Sequence, residues 1–189
     1  MWVRSAAIRP VGPEARVSSE ILDEVEAFFG EEEEHTEARL TDTFKAFENA
    51  QPHLSAHIEA RLSRTGDDMA MALGYFLSLA VWMAFDRAHG SQLERVEPMG
   101  LDSVEQALAL DEELRSQDPT DGIESDDVVA MEQPDAIQFL QEHIDAALEL
   151  NAADANVDAV HRVYRLLLVE VLALSYAVRR SVDDHEIQA

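Results

Sequence analysis

Apolar residues recur every three to four positions along most of this chain, and no useful stretch alternates with period two. That spacing predicts helices and no strands. The first periodic segment opens at Ser18 or Ser19, where a serine N-cap precedes acidic residues, and stops at Gly30. Ile21, Leu22, Val25, Phe28 and Phe29 form its apolar face. A second segment carries Leu40, Phe44 and Phe47 behind an acidic start, which suits the positive end of a helix. The third restarts at Gln51-Pro52, where the missing proline N–H costs no helical hydrogen bond, and carries Leu54, Ile58 and Leu62. Later stripes are built on Val104, Ala107, Leu108 and Leu114, then on Ile137, Leu140, Ile144 and Leu148. A last long helix starts at Val157, and "DPTDGIESDD" (residues 118–127) reads as a loop.

One segment is apolar on every side. Met69 to Phe85 is a run of 17 residues without a charge, set between Asp68 and Asp86. At the helical rise it spans roughly 25 Å, less than the ~30 Å hydrocarbon layer of a bilayer. Its flanks are acidic, so the basic anchor of a membrane span is missing. A helix of this kind belongs at the centre of a bundle. Ala70, Gly74 and Ser78 form one small-residue row and Ala80, Ala84 and Ala88 another, which lets neighbours approach closely. The expected neighbour is the apolar helix Val163 to Val178. The rival occupant of that surface is a second copy of the chain, because obligate dimer interfaces resemble a divided core.

The expectation is therefore an all-α fold, a bundle of about six to eight helices around two central apolar ones. An extended or disordered arm (1–17) precedes a single helical domain (18–180), and a polar tail (181–189) follows. Trp2, Val3 and Ile8 are the residues that would pin the arm. Gln51-Pro52 and Gln133-Pro134 each start a helix that is followed by a tyrosine-bearing apolar helix, and Tyr75 aligns with Tyr164. This suggests two similar units, 31–90 and 103–180.

Composition narrows the function. The net charge is −25, from 39 acidic and 14 basic residues. Nucleic-acid backbones and anionic membranes need clustered Lys and Arg, so neither is an expected partner. Solubility, a salty habitat or a basic partner each account for such charge. The chain has no cysteine, which removes disulfides, thiolate metal sites and a thiol nucleophile. Together with the lack of a secretory h-region this points to the cytoplasm.

Candidate chemistry is sparse. His53 and His57 share a helix face at i, i+4 and could hold one zinc or other divalent ion, with Glu59 or Asp68 as a further ligand. "HLSAH" lacks the glutamate of the zinc-protease motif. Glu32-x-x-His35 and Asp158-x-x-His161 do not complete a di-iron set, and residues 117–128 do not match a calcium loop. Arg165 and Glu170 interrupt the last apolar helix, either as a structural pair or as part of a polar ligand pocket with His161. No cofactor signature and no catalytic residue stand out. The leading expectation is a non-enzymatic, cytoplasmic protein that works through a protein partner or as a homodimer. Two alternatives are a small metal- or ligand-binding enzyme using His53/His57 or a Glu170 pocket, and an acidic inhibitor of a basic partner.

Overall fold

The uncharged run folds as a helix that packs against its echo near the other end of the chain. A computed structural model describes residues 7–30, 36–117 and 122–179. Among these are eight α-helices and no strand: α1 (Ser19–Gly30), α2 (Thr36–Ala50), α3 (Pro52–Leu62), α4 (Asp68–His89), α5 (Pro98–Ser116), α6 (Ser125–Glu132), α7 (Pro134–Leu150) and α8 (Val157–Ala177). Trp2, Val3, Glu32, His35 and the tail 181–189 lie outside the described residues.

Local chemistry sets the ends of the central pair. The Asp67 carboxylate accepts a hydrogen bond from the Ala70 amide at 2.7 Å and opens α4. The Asn156 side chain does the same for the Ala159 amide at 3.1 Å and opens α8. α4 stops at Gly90, whose φ of +51° favours glycine. The small row then serves its purpose. A Cβ on Gly74 would lie 2.5 Å from Leu62 Cδ2 and 3.0 Å from Val163 Cγ1, so only glycine admits both neighbours unchanged.

α4 and α8 share the most extensive interface in the fold. α1, α2, α3 and α7 also pack on α4, while α3, α5, α6 and α7 pack on α8. The apolar surface of both helices is thus consumed largely within one chain. Residues 68–92 are long and apolar enough to cross a membrane by composition alone. Over half of their most apolar window is buried by the rest of the fold, which is compatible with the core helix of a soluble protein.

The two halves of the chain pack alike. Exchange α1 with α5, α2 with α6, α3 with α7 and α4 with α8, and each substantial helix–helix contact maps onto another or onto itself. The halves are interleaved: α1 lies against α7, and α5 lies against α3. Gln51 and Gln133 begin α3 and α7 with nearly the same backbone, φ −130° and ψ 63° against φ −133° and ψ 66°. Ahead of α1 and α5 the chain reads RVSSEILDEVE (16–26) and RVEPMGLDSVE (95–105), and Leu22 and Val25 are buried as Leu101 and Val104 are. This correspondence starts before residues 31 and 103, where the helix pattern alone placed it. The leading segments are extended, so helical periodicity does not report them.

One local feature differs from expectation, and a second bears on the arm. Residues 125–132 form a helix where the acidic stretch 118–127 reads as loop. A reciprocal capping box holds it: the Glu124 side chain receives the Asp127 amide, and the Asp127 carboxylate accepts the Glu124 amide at 2.8 Å. The described part of the arm is docked, with Ile8, Val11, Ala15 and Val17 buried.

Candidate functional site

The first half of α8 turns its polar face outward, and two hollows flank it. The larger, about 530 Å³, lies between α5, the start of α6 and α8. The smaller, about 250 Å³, lies between the end of α3, the turn after it, Glu105 of α5 and α8. Arg165 lines both.

The walls of the larger hollow are held by ion pairs. Asp111 on α5 is 1% exposed. It accepts hydrogen bonds from Arg115 Nε at 2.6 Å, Ser125 Oγ at 2.8 Å and the Ala7 amide at 3.2 Å. Burial alone would raise the Asp111 carboxyl, but the bonds from Arg115 and Ser125 outweigh it and hold it below its usual range. The network ties the arm, α5 and α6 into one unit. Across the hollow the Arg165 guanidinium grips Glu112 as a fork, at 2.7 and 2.9 Å. The Tyr164 hydroxyl accepts from Gln141 Nε2 at 3.1 Å. Burial pushes this phenol up to about 12, and Asp126 and Asp127 act in the same direction. Apolar surface comes from Leu168 and Ile123.

His161 and Arg165 line the larger hollow together. Glu170 is placed apart from them. It is fully buried, lines neither hollow, and has no hydrogen-bond partner in normal geometry among the described residues. Burial drives its carboxyl well above the usual range, and the nearby Ser78 hydroxyl opposes this only in part. The reason is helical phase. Arg165 stands at the edge of the polar face, whereas residues 166–175 are buried without interruption.

His53 and His57 share a face of α3, as their spacing requires. His57 Nε2 lies 3.3 Å from Glu105 Oε1, and His53 Nε2 lies 3.9 Å from Glu97. Glu59 and Asp68 are exposed. Among the described residues no group of three or more His, Cys, Asp or Glu side chains is arranged to hold a metal ion.

Asp111, Arg115, Arg64 and Arg162 are not among the candidates that residue spacing picks out. Asp111 carries no signal, being one acid in an acidic helix; only its burial distinguishes it. The arginines do carry one. Arg61 and Arg64 are three apart near the end of α3, and Arg162 and Arg165 are three apart on α8, in a chain with few cations.

Comparisons with protein-family models, curated proteins and solved structures find no match to this chain.

Proposed function

We propose that this chain is a non-enzymatic interaction protein, and that the larger hollow beside α8 is its docking site for a basic protein segment. The observation that supports this most is the build of the hollow. Leu168 and Ile123 supply an apolar patch, and Glu112, Glu124 and Asp126 set an acidic rim around it. The Asp111 and Arg165 pairs hold the walls in place before a partner arrives, which lowers the entropy cost of docking. An apolar anchor with a flanking Lys or Arg fits such a surface.

The chemistry of Tyr164 in the lining, and of Asp111 buried behind Arg115, supports binding over catalysis. A general acid or base works best with a pKa near ambient pH. Asp111 is held below its usual range and Tyr164 is held up at about 12, so both move away from neutrality. The net charge of −25 favours a basic partner over a second acidic copy.

We also propose that the chain contains two copies of one four-helix unit, running from the RV segments at 16 and 95 through α4 and α8. The matched contacts and matched glutamine caps support it.

The docking reading is tested with an amphipathic Lys/Leu model helix, titrated by fluorescence anisotropy. Binding should weaken as salt rises. Ile123→Glu should weaken it about tenfold, because loss of the apolar anchor outweighs the added attraction for the basic peptide. Binding that ignores salt, or ignores Ile123→Glu, sinks the reading.

A further inference from the structure

We propose that the smaller hollow is a separate binding site for a small organic anion, an oxyanion group carried on a short apolar body. The chain has 14 cationic residues against 39 acidic ones, so cations are scarce in it. In this recess they are not. Arg61, Arg64, Arg162 and Arg165 line it, and among the described residues Glu105 is the single acid in its lining.

Two of these cations are already balanced. Arg61 Nη2 donates to both Glu105 oxygens at 2.8 and 3.0 Å, and Arg165 forks onto Glu112. The other two are not. Arg162 donates to the Thr65 carbonyl at 3.2 Å, a neutral partner that fixes its position against the turn. The Arg64 guanidinium has no hydrogen bond or ion pair among the described residues. Two uncompensated guanidinium groups beside one hollow present planar donors suited to a carboxylate or a phosphate.

Beneath them the floor is apolar. Leu62, Val163, Leu166 and Val169 are all buried. A hollow of about 250 Å³ is smaller than the ~300–1,000 Å³ typical of drug-sized ligands, so it suits a fragment-sized body.

The frame itself does not require these arginines. The caps Asp67 and Asn156 align α4 with α8, which puts Leu73 opposite Arg162 and Phe76 opposite Arg165 in the other half. The caps Gln51 and Gln133 align α3 with α7, which puts His143 opposite Arg61. There the Phe76 and His143 rings pack 6.0 Å apart. The same helical crossing is closed by rings in one half and lined by cations in the other. The cluster is therefore an addition to the fold and not a condition of it.

The test is isothermal titration of the full chain with octanoate, phenyl phosphate, inorganic phosphate and octanamide. Octanoate or phenyl phosphate should bind saturably, and whichever binds tighter identifies the headgroup. Inorganic phosphate lacks the apolar body and octanamide lacks the charge, so both should bind much more weakly. The double variant Arg64→Gln/Arg162→Gln should lose about tenfold in affinity while its melting temperature holds. If the double variant does not fold, Arg64→Gln alone carries the test, since that side chain makes no contact of this kind. The proposal is overturned if neither organic anion binds, if octanamide or inorganic phosphate binds as well as they do, or if the substitutions leave affinity unchanged. Arg165 stays intact throughout, so failure here leaves the docking reading for the larger hollow untouched.

Discussion

Gln51 and Gln133 perform the same task in opposite halves of the chain. Each carboxamide bridges an extended segment that leads into the other half's first helix. Gln51 Nε2 donates to the Glu94 carbonyl at 2.9 Å and its oxygen accepts from the Val96 amide at 2.8 Å. Gln133 Nε2 donates to the Ala15 carbonyl at 2.7 Å and its oxygen accepts from the Val17 amide at 3.1 Å. Even the flanking arginines agree: Arg16 donates to the Met131 carbonyl and Arg95 to the Asn49 carbonyl. Each half thus fastens the other.

Removing one clamp should cost stability out of proportion to its size. Gln133 is fully buried and also donates to Ser175 Oγ at 2.8 Å. Gln133→Ala strands buried backbone groups, at about 1–3 kcal/mol for each unsatisfied one, so a total loss of about 2–4 kcal/mol is expected in urea unfolding. Gln51→Ala should behave alike. A loss under ~0.5 kcal/mol for both would mean that the clamps are incidental.

The pH dependence of stability should carry the mark of Glu170. Its folded pKa is raised, so the native state holds the proton more tightly than the unfolded chain does. Stability from this group is complete below the unfolded value of ~4.3 and is lost as pH rises toward the folded value. Glu170→Gln keeps the shape and removes the titration. It should flatten that decline and raise the melting temperature at neutral and higher pH. Identical pH profiles for the two proteins would refute this.

Asp111 should act with the opposite sign. Its folded pKa is depressed, so its contribution is present above the unfolded value of ~3.9 and is lost as pH falls through the folded one. Asp111→Ala leaves Arg115 and Ser125 without their shared acceptor. Breaking a buried pair in this way costs about 3–5 kcal/mol. Amide exchange should then speed up in the arm at Ala7, which the same carboxylate holds. A destabilised variant with unchanged exchange there would separate Asp111 from the arm.

Gly74→Ala probes the central crossing. The new methyl meets Leu62 Cδ2 and Val163 Cγ1, and overpacking of this kind costs about 1–3 kcal/mol. Leu62→Val in the same chain should recover part of the loss. Additive effects, measured by a double-mutant cycle, would show that the two residues do not share that space.

Much of the frame was legible because it rests on local rules. Spacing located the apolar faces, and Pro52 and Gly30 marked helix ends. Capping chemistry escaped where the acid run 124–127 looked like loop, since Glu124 and Asp127 cap each other only when the backbone turns. The RV segments at 16 and 95 were visible as letters, yet extended chain has no helical period to draw notice. At the candidate site, His161 and Arg165 fell together because both lie on one helix face within a turn. At the smaller hollow Arg61 and Arg64 meet Arg162 and Arg165 from far away in sequence, which no spacing rule anticipates.

What the sequence alone determined was the class of fold and the identity of its centre. A helix apolar all round must be covered, and 17 uncharged residues between aspartates left a bundle core as the best cover. Tertiary structure decided the rest. It supplied the cover for α4 largely from the same chain, buried Glu170 while leaving Arg165 at the surface, and gathered four of the scarce cations around one hollow. The physical reason is that burial and charge clustering depend on which helix faces meet. That choice is made by packing between segments far apart in the chain, and periodicity within any one of them does not encode it.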